Sequence, residues 1–137
     1  LVGESGSGKS MTALTVMQLL PHLARAEGRV TFDGIDILRA TEDQMCALRG
    51  DDIGMVFQEP TTALDVVLQA QILDLLRDLV RENRMGLLLI SHDLAVVTEM
   101  ADRLTILRHG EVTEAGDTAR TLSEQQHPYT RELAHAW

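Results

Sequence analysis

The sequence predicts an α/β fold around a mainly parallel sheet, and three observations carry that prediction. A glycine-rich turn, "GESGSGKS" at residues 3–10, opens directly into an amphipathic helix. The run "MGLLLIS" at 85–91 is short and continuously apolar, as in a strand buried on both faces. Short apolar runs alternate with stretches at helical spacing, the pattern of strands joined by crossover helices.

Each element has a local reason. The first helix is expected over residues 9–20, with Ala13, Leu14, Val16, Met17 and Leu20 on one face and Pro21 as its stop. "GRVTFDGIDIL" reads as two short strands about an Asp33-Gly34 hairpin turn. Residues 41–48 read as a helix with Thr41 and Gln44 placed as a capping box. "IGMVFQ" reads as a strand. A long helix is expected over 65–83, its stripe including Val66, Val67, Ala70, Leu73, Leu76, Leu79 and Val80, with Asp65 as a candidate N-cap. After the 85–91 strand comes a helix over 94–101. "RLTILRHGEVTEAG" reads as two strands about His109-Gly110, a polar stretch follows, and a last short helix begins after Pro128. His127 reads as the end of the turn before that proline.

Composition narrows the class. At 137 residues and 45% hydrophobic, the chain is at most one domain with a real core. A formal charge of -9 with no basic stripe argues against nucleic acid as a partner. No apolar run reaches membrane-spanning length and no signal peptide is visible. The single cysteine, Cys46, cannot form an internal disulfide and is expected to be a small buried apolar residue. The five histidines show no metal-ligand spacing.

The opening stretch carries chemistry. Gly3-Glu4-Ser5-Gly6-Ser7-Gly8-Lys9-Ser10 fits G-x-x-x-x-G-K-[ST], a phosphate-binding loop. Its glycines let the backbone curl and aim N–H groups inward, and the following helix start adds positive potential. Lys9 is placed to reach the β- and γ-phosphates, and the Ser10 hydroxyl to ligate Mg²⁺. Such a loop normally leaves a buried strand. Only Leu1 and Val2 precede it here, so the chain is expected to begin inside a domain.

In this order the motifs resemble those of the ATP-binding cassette (ABC) transporter nucleotide-binding subunits, in the oligopeptide/dipeptide importer branch. "GESGSGKS" resembles the family's phosphate loop. "MVFQEP" is similar to the segment of its lid glutamine, here Gln58. "EPTTALD" is similar to the entry of its D-loop, and "LLLISHDLAVV" to the segment of its switch histidine, here His92. "HPYTREL" is similar to the start of the branch's C-terminal extension. The resemblance implies a RecA-like phosphate-loop NTPase core over residues 1–126 and the start of the extension over 127–137. It also implies ATP and Mg²⁺ as cofactors, and a second ABC ATPase subunit and a membrane permease as partners. The location it implies is cytoplasmic, peripheral on the inner face of the cell membrane.

The resemblance also exposes a gap. The family carries a helical subdomain with an "LSGGQ" signature, then a strand ending in Asp-Glu, between the lid glutamine and the D-loop. Here one Glu59-Pro60 joins the two segments directly, so the core is read as truncated, lacking most of the first strand and the helical subdomain. The strand "MVFQE" is then expected to fill the vacated place. That puts Gln58 where the metal-holding Asp belongs and Glu59 where the water-polarising Glu belongs. Glu59 as general base and Gln58 as a neutral metal partner stand beside a plainer reading, in which both only end a strand before a proline turn. His92 either senses a γ-phosphate or only closes a strand before an Asp93-capped helix. The function implied is the ATP-binding subunit of an importer for peptides, nickel or other small solutes, with impaired hydrolysis. The alternatives are a nucleotide-binding module without turnover and a non-functional fragment.

Overall fold

The computed structural model describes residues 1–56 and 70–136 in full and residues 66–69 as backbone. The expected features at Phe57, Gln58, Glu59, Pro60 and Asp65 lie outside the described residues.

Helix α1 runs Lys9–Val16, shorter than its apolar pattern suggests. Tertiary partners end it, not Pro21. Gln18 takes a left-handed conformation (φ 50°), and the Leu19 and Gln18 N–H groups donate back to Leu14 O (2.8 Å) and Thr15 O (3.1 Å). That is a Schellman close, made without the usual glycine. The Gln18 side-chain amide donates to Ile37 O and Ala40 O, and Arg49 Nε donates to Met17 O at 2.8 Å. Strands β1 (Thr31–Phe32) and β2 (Ile35–Asp36) form the expected hairpin. Asp33 and Gly34 both take positive φ, as a type I′ turn requires. A 3₁₀ turn at Ile37–Arg39 leads to α2, Glu42–Leu48. The capping box is formed: the Gln44 N–H donates to Thr41 Oγ1 and the Thr41 N–H to Gln44 Oε1.

Strand β3 is Ile53–Val56, α3 is Val66–Asn83 and β4 is Gly86–Leu89. Helix α4, Leu94–Met100, is capped by Asp93, whose Oδ1 accepts from the Ala95 and Val96 N–H groups. Strands β5 (Arg103–Arg108) and β6 (Glu111–Asp117) form the second hairpin, turning at His109-Gly110. The polar stretch after it holds a helix that the sequence pattern does not announce. It folds as α5, Thr118–Glu124, because Asp117 caps it through the Arg120 N–H. Helix α6 is Pro128–His135, with proline in its first turn and His127 as N-cap.

The sheet is organised around two residues. β3 and β4 pair in parallel, Ile53 with Gly86 through Val56 with Leu89. On the other side of β4, the Leu1 amine donates to Leu89 O (2.6 Å) and the Ser91 N–H donates to Leu1 O. Val2 then bridges Ile106 in parallel, through Val2 N–H to Thr105 O (2.9 Å) and Leu107 N–H to Val2 O (2.7 Å). The order is therefore β3, β4, Leu1–Val2, β5, β6. The parallel pairings run from β3 at one end as far as β5, and the antiparallel β5–β6 hairpin closes the other end.

Val2, Leu89, Leu94, Val97, Leu104, Ile106 and Tyr129 form one buried cluster beneath the glycine-rich turn. Met17, Ile37, Met45, Leu48 and Ile53 form a second. Cys46 corrects its expectation: it is exposed. Met45 and Leu48 set the inward phase of α2, and one residue beyond Met45 the helix has already turned toward solvent. There the thiol lies 3.7 Å from Glu42 Oε1.

Candidate phosphate-loop site

The glycine-rich turn leaves the sheet at Val2 and enters α1 at Lys9. Gly3, Gly6 and Gly8 all have positive φ, at 153°, 80° and 92°. At Gly3 the need is steric as well as torsional, since a Cβ there would lie 2.0 Å from Leu107 O. The loop thus passes hard against the end of β5. The hairpin turn holds it from outside: the Gly110 N–H donates to Ser7 O (3.1 Å), and His109 Nδ1 lies 3.3 Å from Glu4 Oε1.

Lys9 is folded into the loop and only 4% exposed. Its Nζ donates to Gly3 O at 2.7 Å, Glu4 O at 2.6 Å and Ser7 Oγ at 3.3 Å. Burial pulls the Lys9 pKa below its ordinary value, and the nearby Glu4 carboxylate offsets part of that fall. The result is a cation held among carbonyl dipoles at the start of a helix, a site that favours an anion. Ser5, Gly6, Ser7, Gly8, Lys9, Ser10 and Met11 line an open depression of about 240 Å³. Ser10 is exposed in the first turn of α1, at the wall of that depression. A larger cleft of about 530 Å³, lined by Arg77, Met85, Leu87, Glu99 and Arg103 among others, contains none of the loop residues.

The remaining candidates divide. His92 is half-buried and directly follows Ser91, whose N–H reaches Leu1 O, so the loop strand and the His92 segment leave the sheet side by side. Gln58 and Glu59 lie outside the described residues. The strand that leads to them, β3, is the immediate neighbour of β4, and the Ile90 N–H donates to Val56 O (3.0 Å) at its end. No cluster of His, Cys, Asp and Glu able to hold a metal occurs among the described residues.

Sequence reasoning missed Tyr129. Its hydroxyl accepts the Glu4 N–H at 2.9 Å, its side chain is 6% exposed, and the Arg108 guanidinium sits 4.7 Å from its ring centroid. A single tyrosine in the chain, placed just inside a helix start, was the available signal.

Among the described residues, no helix is long and apolar enough to cross a membrane. The ABC transporter family profile matches residues 1–130. The peptidoglycan transport ATP-binding protein YejF of Agrobacterium fabrum is 31% identical over 220 residues, covering 99% of this chain and 40% of its own length. The dipeptide transport ATP-binding protein DppD of Bacillus subtilis is 28% identical over 217 residues, covering 97% of this chain and 65% of its own length. The chain thus spans roughly half the length of these relatives, and both aligned spans exceed its 137 residues. The relatives therefore carry residues inside the matched region that have no counterpart here. Solved ABC cassettes share the fold. cbiO1 from Clostridium perfringens, part of the ABC transporter complex cbiONQ, has a TM-score of 0.70 at 16% identity, covering 91% of this chain and 78% of that one. The ATP-binding cassette MJ0796 bound to ADP and Pi has a TM-score of 0.67 at 19% identity, covering 85% and 83%. The loop, the helix it opens, the parallel strands beside it and these matches have one common reading: the chain belongs to the ABC transporter family.

Proposed function

We propose that the chain is the ATP-binding subunit of an importer for peptides or other small solutes, able to hold a nucleotide and weak in hydrolysing it. The observation that carries the reading is Lys9, buried with its ammonium inside a glycine-built loop at a helix start. Gly3, Glu4, Ser5, Gly6, Ser7, Gly8, Lys9 and Ser10 hold the triphosphate. Backbone N–H groups of the loop point at phosphate oxygens, and Lys9 exchanges its longest contact, to Ser7 Oγ, for one of them. Ser10, with the Gln58 carbonyl, would hold Mg²⁺, which when bound neutralises charge on the phosphates. Glu59 is assigned as general base and His92 as the sensor of the terminal phosphate.

Weak turnover follows from charge and from absence. Gln58 supplies no negative charge where phosphate-loop ATPases use an Asp. The sequence has no signature segment between Gln58 and Asp65, and the relatives carry residues in the matched span that this chain lacks. That same observation favours a second reading, a nucleotide-binding module without turnover. The peptide assignment is supported by relatives named for dipeptide and oligopeptide transport. The partners are a second ABC ATPase subunit and a membrane permease, with the chain on the cytoplasmic face of the membrane.

Titration calorimetry with ATP and Mg²⁺, for this chain and Lys9→Ala, tests the assignment. Binding is expected for the parent and loss of about 100-fold or more for Lys9→Ala, since the variant removes the one ammonium aimed at the phosphates. Turnover abolished by Lys9→Ala marks an ATPase, and Lys9-dependent binding without turnover marks the module. Equal binding by both forms would sink the site assignment.

A further inference from the structure

We propose that Tyr129 is a positioning residue for the phosphate loop, through which docking of α6 and occupation of the loop by nucleotide are thermodynamically linked. The proposal rests on the nucleotide reading of residues 3–10. Helix α6 stands at the far end of the sequence from the loop, yet the Tyr129 hydroxyl takes the Glu4 N–H at 2.9 Å. Glu4 is the residue at which the loop leaves Gly3, and its own carbonyl accepts both Lys9 Nζ (2.6 Å) and the Ser7 N–H (3.2 Å). The peptide units around Glu4 are therefore held on both faces, by Tyr129 outside and Lys9 inside.

The tyrosine is itself fixed. Its ring lies in the cluster with Val2 and Ile106, the two residues that bridge the loop strand to β5. Arg108 covers the ring, and its Nε is buried with no hydrogen-bond partner among the described residues, so the ring face is what the guanidinium meets. The helix bearing Tyr129 is tied to β6 by Glu114, which accepts from the Gln126 N–H, the His127 N–H and the Thr130 hydroxyl. Thr130 is fully buried. α6 is thus a rigid arm from β6 to the loop. Any force that lifts α6 withdraws an acceptor from Glu4 and frees the loop entry. By reciprocity, nucleotide that orders the loop must hold α6 down.

The test uses the full chain with ATP and Mg²⁺. Tyr129→Phe keeps the ring and its cation contact and removes only the acceptor. It is expected to weaken ATP about three- to tenfold and to speed hydrogen exchange at the Glu4 amide. It should also erase the ATP-induced protection of amides in 129–135 that is expected in the parent. Equal ATP affinity for parent and Tyr129→Phe overturns the link, whatever the exchange shows. If Tyr129→Phe does not fold, Glu114→Gln loosens the arm without touching the loop. It should lower affinity in the same direction, and unchanged affinity there overturns the proposal. A parent chain that binds no ATP overturns the nucleotide reading itself, and this proposal with it, an outcome distinct from equal binding by both forms.

Discussion

Gly3 and Leu107 approach so closely that no side chain fits between them: a Cβ on residue 3 would sit 2.0 Å from the Leu107 carbonyl oxygen. The obstacle is backbone, held in place by the Leu107 N–H bond to Val2 O at 2.7 Å. It cannot swing aside as a side-chain end could. Gly3→Ala should therefore displace the loop entry from β5 and destabilise the chain by about 2–4 kcal/mol. Gly6, around which a Cβ meets nothing within 4 Å, pays only the torsional cost of its positive φ, so Gly6→Ala should lose about 1 kcal/mol. Urea unfolding of the two variants tests the ranking, and a Gly6→Ala loss equal to that of Gly3→Ala would refute it.

A second expectation concerns pH. Burial holds the Lys9 pKa below its ordinary 10.5, with Glu4 opposing the shift. A polyphosphate in the loop favours the ammonium, so binding raises that pKa again and takes up protons where free Lys9 is part-deprotonated. ATP affinity should fall as pH rises through the lowered value. Lys9→Arg, charged throughout, should bind more weakly at neutral pH and lose that alkaline fall. Calorimetry in two buffers of different ionisation enthalpy measures the proton uptake directly. A parent whose alkaline affinity tracks that of Lys9→Arg would contradict the argument.

The anchor of α6 gives a third. Burial, the largest influence on Glu114, raises its pKa, but the bonds from Thr130, His127 and Gln126 together hold it below the ordinary 4.5. A depressed carboxylate stabilises the fold above its unfolded value and loses that contribution as pH falls through its folded value. Exchange at α6 amides should accelerate below about pH 4.5 before the sheet opens. Glu114→Gln should cost about 1–2 kcal/mol at neutral pH, because a neutral oxygen replaces a charged acceptor of three donors, and should remove that acid step. An acid step preserved in Glu114→Gln would assign it to another group.

Much of this architecture is legible in the sequence because its causes are local. Asp33-Gly34 and His109-Gly110 announce their turns, Thr41 and Gln44 their capping box, and Gly8-Lys9-Ser10 the helix that follows the loop. What escaped is non-local. The end of α1 is decided by Ile37, Ala40 and Arg49, residues about twenty to thirty positions away, and nothing between Val16 and Pro21 encodes them. α5 escaped because its surface is mostly polar and its start rests on one Asp117 cap. Cys46 was misjudged on residue type, when the helix phase set by Met45 and Leu48 decides its exposure. At the site, the motif spells out the loop residues, while Tyr129 reaches Glu4 across almost the whole chain, a contact that only the closed fold creates.

The last prediction concerns the strand that leads toward Gln58. β3 pairs with β4 from Ile53 to Val56, and β4 is the strand against which Leu1 lies before the loop. β3 is therefore one strand removed from the loop, and its end at Val56 is bound by the Ile90 N–H. If Gln58 then stands where a metal-holding carboxylate belongs, the shortfall is one negative charge, not one oxygen. Gln58→Asp should restore that charge and strengthen Mg²⁺-dependent ATP binding about tenfold, roughly 1.4 kcal/mol. The gain should vanish when a chelator removes the metal, which separates a metal effect from a change in folding. Glu59→Gln should leave ATP affinity nearly unchanged and lower any residual turnover about 100-fold, as loss of a general base does. Should Gln58→Asp bind ATP no better with Mg²⁺ than without it, Gln58 is remote from the metal and the strand has not taken over the vacated place.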